Sequence, residues 1–441
     1  MTGTEARALQ PFLDRYFGLT EQNTDIRTEV IAGITTFLTM AYIMFVNPHI
    51  LGEAGMDKGA VFVATCIAAA AGTLIMGLYA NYPIAQAPGM GLNAFFAFTV
   101  VIAYQYTWQQ ALAAVFLSGL LFVAISLSGL RQWIIDAIPH TLKIAVSAGI
   151  GLFLGIIALQ SAGIVVSHPA TLVTLGNLKA PAAILALIGF VLIAALNFRG
   201  VVGATLIGIL VVAAIGVPLG LAKFGGIVSL PPSIAPTLFA MDFSRVFEAT
   251  FLIVVITMLF VDLFDTAGTL IGVSHRAGLL DENDRLARMP QALLADSSAT
   301  VIGAVVGTSN VTSYIESASG VAAGGRTGLT AVTVAVLFLA ALFFSPLAGM
   351  IPAYASAAAL LYVACLMTRG LSEIDWQDAT EYAPAVVTAI AMPLTYSIAT
   401  GIGLGFITYA LIKIVAGRFA DARPAVIAMA VLFALKFAVA G

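Results

Sequence analysis

Long runs of apolar residues without a charged residue recur along the whole chain. The run at 60–80 contains no charge, and about 20 such residues cross a hydrocarbon layer about 30 Å thick as a helix. Of the 441 residues, 61% are hydrophobic and 9% are charged, whereas a soluble domain carries about 25% charged residues. A transmembrane barrel would alternate polar and apolar residues instead. The sequence therefore predicts an all-α polytopic membrane protein.

Glycine, proline and charged residues divide the apolar runs into fourteen predicted transmembrane spans. These spans are 29–48, 60–80, 87–103, 108–128, 140–162, 180–197, 201–221, 247–273, 291–307, 313–323, 327–349, 353–368, 383–398 and 401–416. A further run at 424–440 is interrupted by Lys436, and it is left open whether this run spans the membrane or lies on its surface.

The distribution of Lys and Arg supports this arrangement, because cytoplasmic segments carry an excess of these residues. With the N-terminus inside, the inside segments hold Arg7, Arg15, Arg27, Arg131, Arg199, Arg276, Arg285, Arg288, Arg326, Arg369, Lys413, Arg418 and Arg423, and the outside segments hold Lys58, Lys179, Lys223 and Arg245. Omitting span 87–103 or span 313–323 would reverse every later loop. We therefore expect a multi-pass protein of the cell inner (cytoplasmic) membrane with a cytoplasmic N-terminus.

The third and tenth predicted spans, 87–103 and 313–323, are short and combine Gly or Pro with polar side chains. Irregular backbone at this depth is tolerated only where it is buried in protein or lines a cavity. Paired interrupted segments in two halves of a chain indicate a transporter binding site. Because each half would contain seven spans, the second copy must be inverted, which predicts a 7+7 inverted repeat.

Short sequence echoes between the halves favour the same repeat. Ile138-Pro139 and Ile351-Pro352 precede the fifth and twelfth spans, and Ala180-Pro181 and Ala383-Pro384 open the sixth and thirteenth. Chance echoes are common in so apolar a chain, so the paired broken spans carry more weight.

Most acidic residues lie in loops, in termini or near the start of a predicted span, and three are set apart from these: Asp262, Asp265 and Glu316. An ionisable group at mid-membrane costs at least about 2.5–3.5 kcal/mol on insertion scales and indicates function. Asp262, Asp265 and Thr269 follow i, i+3, i+7 and share one helix face, which would form a polar track toward the aqueous phase. A structural role as caps or ion-pair partners stays open, although neither span contains Lys or Arg. For Asp296, near the predicted start of the ninth span, the favoured role is a helix cap or a partner of a cytoplasmic Arg.

Several classes of function lack support in the sequence. A Walker lysine motif and the HExxH and GxSxG elements are missing, so we expect no enzyme. The net charge is −3 without a basic patch, so we expect no nucleic-acid partner. Cys66 and Cys365 both lie in apolar runs, so we expect neither a disulfide framework nor a metal site, and no cofactor.

Five ordered motifs carry a resemblance to a known family. They read Thr39-Met40-Ala41-Tyr42-Ile43 with Val46-Asn47-Pro48; Ala87-Pro88-Gly89-Met90-Gly91-Leu92-Asn93-Ala94-Phe95-Phe96; Asp262-Leu263-Phe264-Asp265-Thr266-Ala267-Gly268-Thr269; Thr308-Ser309-Asn310 with Tyr314-Ile315-Glu316-Ser317; and Gly324-Gly325-Arg326-Thr327-Gly328-Leu329-Thr330. Over essentially the whole chain, they resemble the azaguanine-type (AzgA-like) purine permeases of the nucleobase–ascorbate transporter superfamily.

The resemblance implies proton-coupled uptake of hypoxanthine, guanine or adenine by a core domain and a gate domain. The predicted divisions are a cytoplasmic leader at 1–28, core at 29–128, gate at 129–246, core at 247–350, gate at 351–417 and an apolar segment of open placement at 418–441. A homodimer is left open, and the outer faces are expected to contact membrane lipid.

The resemblance also assigns roles to residues. In the related uracil permease, acids on spans 8 and 10 hold the base, and by motif Asp265 and Glu316 match them. The further substrate-binding candidates are Asn93, Ala94, Ile315, Phe264, Tyr314 and Tyr362, and the proton-coupling candidates are Asp265, Asp262 and Thr269. Thr269 stands where the uracil branch has a histidine, so the proton route is expected to differ.

Two other kinds of protein remain as alternatives. An anion transporter of the same fold would place a cation at the broken spans, where this sequence has acids. A channel or a membrane enzyme is the third reading, and it predicts no uphill accumulation of purine.

Overall fold

The computed structural model describes residues 12–128, 139–280 and 286–440, without the side chains of residues 436, 439 and 440. Several features used above lie outside this part of the chain. They are residues 1–11 of the predicted leader, which include Arg7, the residues Arg131, Ile138 and Arg285, and the side chain of Lys436.

Helices make up nearly all of the regular structure. In chain order they are α1 Ile26–Met40, α2 Ile43–Glu53, α3 Lys58–Ile75, α4 Met90–Ala94, α5 Trp108–Ser128, α6 His140–Ser161, α7 Pro181–Phe198, α8 Ala204–Gly216, α9 Ala249–Ala277, α10 Met289–Val306, α11 Ser317–Ala322, α12 Gly328–Ala341, α13 Ser345–Met350, α14 Ala353–Thr368, α15 Ala379–Thr395, α16 Ile398–Val415 and α17 Pro424–Ala440. Wider π-helical turns continue α3 over Met76–Ala80 and α4 over Phe95–Ala103, and 3₁₀ turns follow α12 and α14.

Within the described ranges, four short strands form two antiparallel pairs. They are β1 Gln86–Pro88, β2 Val165–His168, β3 Leu172–Leu175 and β4 Val311–Ser313. The exposed β2–β3 hairpin connects α6 to α7, whereas β1 pairs with β4 inside the protein.

Ten helical segments of the described residues are long and apolar enough to cross a membrane. They include Ile26–Glu53, Lys58–Ala80 and the 29-residue helix Ala249–Ala277. Three shorter apolar helices, Met90–Ala103, Ala204–Gly216 and Pro424–Leu435, accompany them. The all-α polytopic class is confirmed, and the number fourteen stays a prediction.

The two short predicted spans are broken in the way that their Gly and Pro residues indicate. Each is a strand followed by a helix, and the strands pair with Gln86 opposite Ser313 and Ala87 opposite Thr312. The Gly89 N–H donates to the Asn310 carbonyl at 2.9 Å, and the Tyr314 N–H donates to the Ala85 carbonyl at 2.9 Å. The irregular backbone therefore satisfies its own polar groups, as burial in a membrane protein requires.

Glycine permits the turn that leads into the second broken span. Gly307 ends α10 with φ of +97°, a left-handed conformation that side chains with a Cβ rarely adopt. A Cβ added there would lie 2.2 Å from the Thr237 Cβ. Both the backbone angle and the close neighbour require glycine at this position.

The helices pack in two groups. In one, α10 packs against α3 and α5, and α12 packs against α1 and α3. In the other, α6 packs against α14 and α15, and α15 also packs against α16. The first group comes from the predicted core segments and the second from the predicted gate segments.

The thirteenth predicted span, 383–398, begins later in the sequence than the helix that the structure shows. Helix α15 begins at Ala379, where the Asp378 carboxylate caps it by accepting from the Thr380 N–H at 2.9 Å. Pro384 consequently lies inside the helix, whereas Pro181 is the first residue of α7. The echo of Ala180-Pro181 in Ala383-Pro384 therefore does not mark equivalent helix positions.

Candidate substrate site

The β1–β4 pair anchors the two broken spans side by side. The Tyr314 hydroxyl donates to the Pro88 carbonyl at 2.5 Å, which ties the end of one strand to the other. The Ser317 hydroxyl accepts from the Ala85 N–H at 3.0 Å. These contacts fix the residues that follow each strand, Asn93 and Ala94 on α4 and Ile315 and Glu316 before α11, relative to one another.

Glu316 lies at the start of α11 and is half-buried. The hydroxyl of Tyr42, a buried residue between α1 and α2, donates to Glu316 Oε1 at 2.6 Å. The neighbouring Ile315 is 51% exposed, although it lies deep in an apolar part of the chain. Glu316 is thus a positioned carboxylate at the edge of an opening.

Asp265 reaches the same opening from the continuous helix α9. Its side chain is accessible although protein surrounds it, as expected for a group that lines a cleft. The Glu316 carboxyl group and the Thr312 hydroxyl are its electrostatic neighbours. At Gly268, one turn further on, an added Cβ would meet no neighbouring atom within 4 Å, so the helix faces open space there. We call the surface formed by Asp265, Gly268, Ile315 and Glu316 the acid cleft.

Phe264 precedes Asp265 on α9 and contacts side chains of other parts of the protein. It is half-buried, its ring stacks on Phe260 with centroids 5.8 Å apart, and Lys143 Nζ lies 5.9 Å from its centroid. Phe264 also lines an apolar cavity with Phe406 and Phe433. The Phe264 ring thus packs against the protein's own side chains, and its stacking on a substrate stays a prediction.

The remaining predicted substrate residues are less accessible. Asn93 and Ala94 are fully buried, and Tyr314 is 5% exposed. Asn93 Oδ1 accepts from the Ser309 hydroxyl, and Asn93 Nδ2 has no hydrogen-bond partner. Tyr362 is half-buried on α14. Of the predicted set, only Asp265, Ile315 and Glu316 come together at an accessible surface.

Asp262 and Thr269 share the predicted face of α9 with Asp265 but are buried. Asp262 Oδ2 accepts from the Thr300 hydroxyl at 2.9 Å and from Asn310 Nδ2 at 3.0 Å. Asp262 therefore belongs to a buried hydrogen-bond network, and a polar track toward the aqueous phase stays a prediction.

The expectation that Asp296 caps a helix or pairs with a cytoplasmic Arg is wrong. Helix α10 begins at Met289, so Asp296 lies in its interior and is fully buried. Asp296 Oδ1 accepts from Gln86 Nε2 at 3.0 Å and from the Ser313 hydroxyl at 2.9 Å. It therefore joins α10 to both strands of the central pair.

Tyr42 and Thr312 have no role predicted from the sequence, although both contact the acids of the cleft. Tyr42 belongs to the first family motif, Thr39-Met40-Ala41-Tyr42-Ile43, so the motif indicates its position but not its partner. Among the described residues, no group of three or more His, Cys, Asp or Glu side chains is arranged to hold a metal ion.

Two broken spans that meet in a backbone ladder beside accessible acids are typical of transporters of the inverted-repeat class. The sequence matches the profile of the Permease family (Xan_ur_permease) over residues 27–404. The chain belongs to this family and is a permease, not an enzyme.

Relatives and a solved structure agree with this assignment. The chain is 50% identical to the adenine permease AdeP of Escherichia coli strain K12, over 97% of this chain and 96% of that one. It is 48% identical to the guanine/hypoxanthine permease PbuG of Bacillus subtilis, over 96% of this chain and 98% of that one. The transmembrane domain of the cyanobacterial bicarbonate transporter BicA superposes with a TM-score of 0.66 at 16% identity, over 85% of this chain and 97% of that one. This likeness confirms the predicted inverted-repeat fold, and seven spans in each half stay a prediction.

Proposed function

We propose that this permease imports purine nucleobases, namely hypoxanthine, guanine or adenine, in symport with protons across the cytoplasmic membrane. The observation that carries the proposal is the meeting of Asp265 and Glu316 in the acid cleft beside the β1–β4 pair. The names of the relatives AdeP and PbuG support a purine as the substrate.

The chemistry of the acid cleft suits a purine. The base is flat and largely neutral, with N–H donors along its edge, and an ionised carboxylate accepts hydrogen bonds only. Glu316 is the direct contact in this proposal because Tyr42 already fixes its orientation. Backbone groups of Ala94 and Ile315 and the Asn93 amide complete the polar contacts, with Phe264, Tyr314 and Tyr362 as flanking rings.

Asp265 is the proposed proton-coupling group because it is accessible and lies next to Glu316. A ligand shifts an equilibrium only through its different affinity for the two states. Purine binding that favours one protonation state of Asp265 supplies this difference. Asp262 and Thr269 extend the polar face of α9 behind it.

The transport cycle in this proposal moves a core domain (29–128 and 247–350) against a gate domain (129–246 and 351–417). The separate packing of the two groups of helices supports this division. The acid cleft lies on the core side, and alternating access would expose it first to one aqueous phase and then to the other. The N-terminus is cytoplasmic in this arrangement.

An anion substrate is the less favoured candidate. The likeness to the bicarbonate transporter BicA is one of fold at 16% identity. The charged groups that face Asp265 in the cleft are acidic, and a carboxylate pair repels an anion.

Competition for uptake tests the substrate class. We expect unlabelled hypoxanthine, guanine or adenine to suppress uptake of a radiolabelled purine, because the motifs resemble those of purine permeases and differ from the uracil branch at Asn93 and Thr269. Uracil, xanthosine and sulfate should not compete. The labelled purine should accumulate against its gradient and leak out when a protonophore is added. Uracil that competes as well as every purine would contradict the assignment, and accumulation that survives the protonophore would contradict proton coupling.

Asn93→Ala tests whether the buried side-chain amide of Asn93 contacts the purine. We expect purine affinity to fall about tenfold or more, because a lost hydrogen bond leaves partners unsatisfied at about 1–3 kcal/mol. Binding to the purified protein measures the change. Ser309→Ala is the matched control, since it removes the donor to Asn93 Oδ1 and keeps the amide. Unchanged affinity in a normally expressed Asn93→Ala protein would assign Asn93 to packing.

A further inference from the structure

Two buried carboxyl groups on neighbouring helices each have hydrogen bonds to only one of their two oxygens. Asp262 of α9 is 1% exposed and Asp296 of α10 is fully buried. One oxygen of each accepts two hydrogen bonds: Asp262 Oδ2 from Thr300 and Asn310, and Asp296 Oδ1 from Gln86 and Ser313. The other oxygens, Asp262 Oδ1 and Asp296 Oδ2, are buried and have no hydrogen-bond partner.

The side-chain amides that contact these carboxyl groups likewise form a hydrogen bond through the nitrogen but not through the oxygen. Asn310 donates through Nδ2 to Asp262, and Gln86 donates through Nε2 to Asp296. Their carbonyl oxygens, Asn310 Oδ1 and Gln86 Oε1, are buried without a partner. Ionised carboxylates and amide oxygens are acceptors only, whereas a protonated carboxyl group donates. Each of these four buried acceptors therefore lacks a donor, and a proton bound to one of the carboxyl groups would supply one.

Among the described residues, no neighbouring cation acts as a counter-ion for these acids. The charged groups that face Asp262 and Asp296 are each other and Asp265. Two carboxylates without a neighbouring cation cannot both stay ionised at low cost in a buried site, because their repulsion adds to the loss of hydration.

Two hydroxyl groups connect this pair to the acid cleft. The hydroxyls of Thr266 and Thr312 lie 3.1 Å apart and are buried. Thr312 is next to the Asp265 carboxyl group, and Thr266 is next to that of Asp296. A hydroxyl both donates and accepts, so this row of groups can pass a proton inward from the accessible acid.

We propose that Asp262 and Asp296 form a buried proton-binding pair that exchanges its proton with the acid cleft through Thr266 and Thr312. Protonated Asp265 gives its proton to the Thr312 oxygen as the Thr312 hydroxyl proton passes to Thr266. The Thr266 hydroxyl proton passes in turn to the Asp296 carboxylate. Both hydroxyls are restored, Asp265 becomes ionised and Asp296 becomes neutral. This proposal rests on the proton symport proposed above.

Removal of one hydroxyl from the row tests the route. In proteoliposomes, Thr266→Val should lose proton-driven accumulation of purine, so that the inside and outside concentrations become equal, and should keep purine exchange. Thr266→Ser is the matched control and should accumulate purine as the wild type does. Accumulation by Thr266→Val at the wild-type level would overturn the route while leaving symport intact. A wild-type protein without proton-driven accumulation would instead overturn the proposed function, and accumulation driven by a sodium gradient would overturn the assignment to a proton.

The bound proton can be observed without transport. Infrared difference spectra of the purified protein near neutral pH should show the carbonyl stretch of a protonated carboxylic acid that is shielded from deuterium exchange. Asp296→Asn should remove or shift this band, whereas Glu53→Gln, at an exposed carboxyl group, should leave it unchanged. A wild-type spectrum without the band, or a band that persists in both Asp296→Asn and Asp262→Asn, would overturn the proposal.

Discussion

Glu316→Gln is expected to abolish detectable purine binding. An ionised carboxylate presents two oxygens to N–H donors on the base, and an amide replaces one of these acceptors with a donor. Each hydrogen bond to a charged group contributes about 1.5–3 kcal/mol, so two such bonds correspond to at least about a hundredfold in affinity. Equilibrium binding of radiolabelled purine to the purified protein measures the loss.

Two further variants separate substrate contact from structural damage. Tyr42→Phe removes the hydroxyl that donates to Glu316 Oε1 and should weaken binding less than Glu316→Gln, because the carboxylate stays in place. Glu53→Gln changes an exposed carboxyl group at the end of α2 and should bind normally. Wild-type affinity in Glu316→Gln would show that Glu316 does not contact the purine.

Asp265→Asn is expected to separate binding from energy coupling. The amide is neutral and cannot release a proton, so the variant should bind and exchange purine but fail to accumulate it. Uptake by the wild type should rise as the outside pH is lowered, because the proton is a co-substrate. In Asp265→Asn this pH dependence should be weak. Counterflow and uphill uptake in the same proteoliposomes measure the two properties.

The opposite pattern would reverse the assigned roles. If Asp265→Asn still drives uphill uptake while Glu316→Gln binds purine normally without coupling, then Glu316 is the proton-coupling acid. Asp57→Asn makes the same chemical change at the exposed N-cap of α3, which is not part of the acid cleft. This matched control should retain accumulation.

The broken spans could be predicted because their signal is local. Gly89 and Gly307 interrupt the helices, and the polar residues beside them lie within a few positions in the sequence. The acids of the cleft were likewise visible as charges in apolar runs. A short stretch of sequence is thus enough to predict where a helix breaks and which charged residues are candidates for a function.

The partners of those residues could not be predicted in the same way. The depth of Asp296 depends on where α10 begins, at Met289, and its contact with Gln86 joins positions 210 residues apart. Glu29 begins the first predicted span without a predicted partner, yet it is fully buried and accepts from the Thr330 hydroxyl at 2.6 Å. Such contacts follow from how distant segments pack, which helical periodicity does not specify.

The ladder between β1 and β4 is made by main-chain atoms, and any residue except proline supplies the same donor and acceptor there. The fold and the ligand preference therefore depend on different atoms. Main-chain atoms of the β1–β4 pair hold the two broken spans together, whereas side chains that face the acid cleft can be replaced without loss of this pairing. A small number of substitutions in the acid cleft could change the preferred substrate and leave the pairing of β1 with β4 intact. Relatives that share about half of their residues with this chain carry the names of adenine and of guanine/hypoxanthine permeases, as a scaffold with separable specificity would allow.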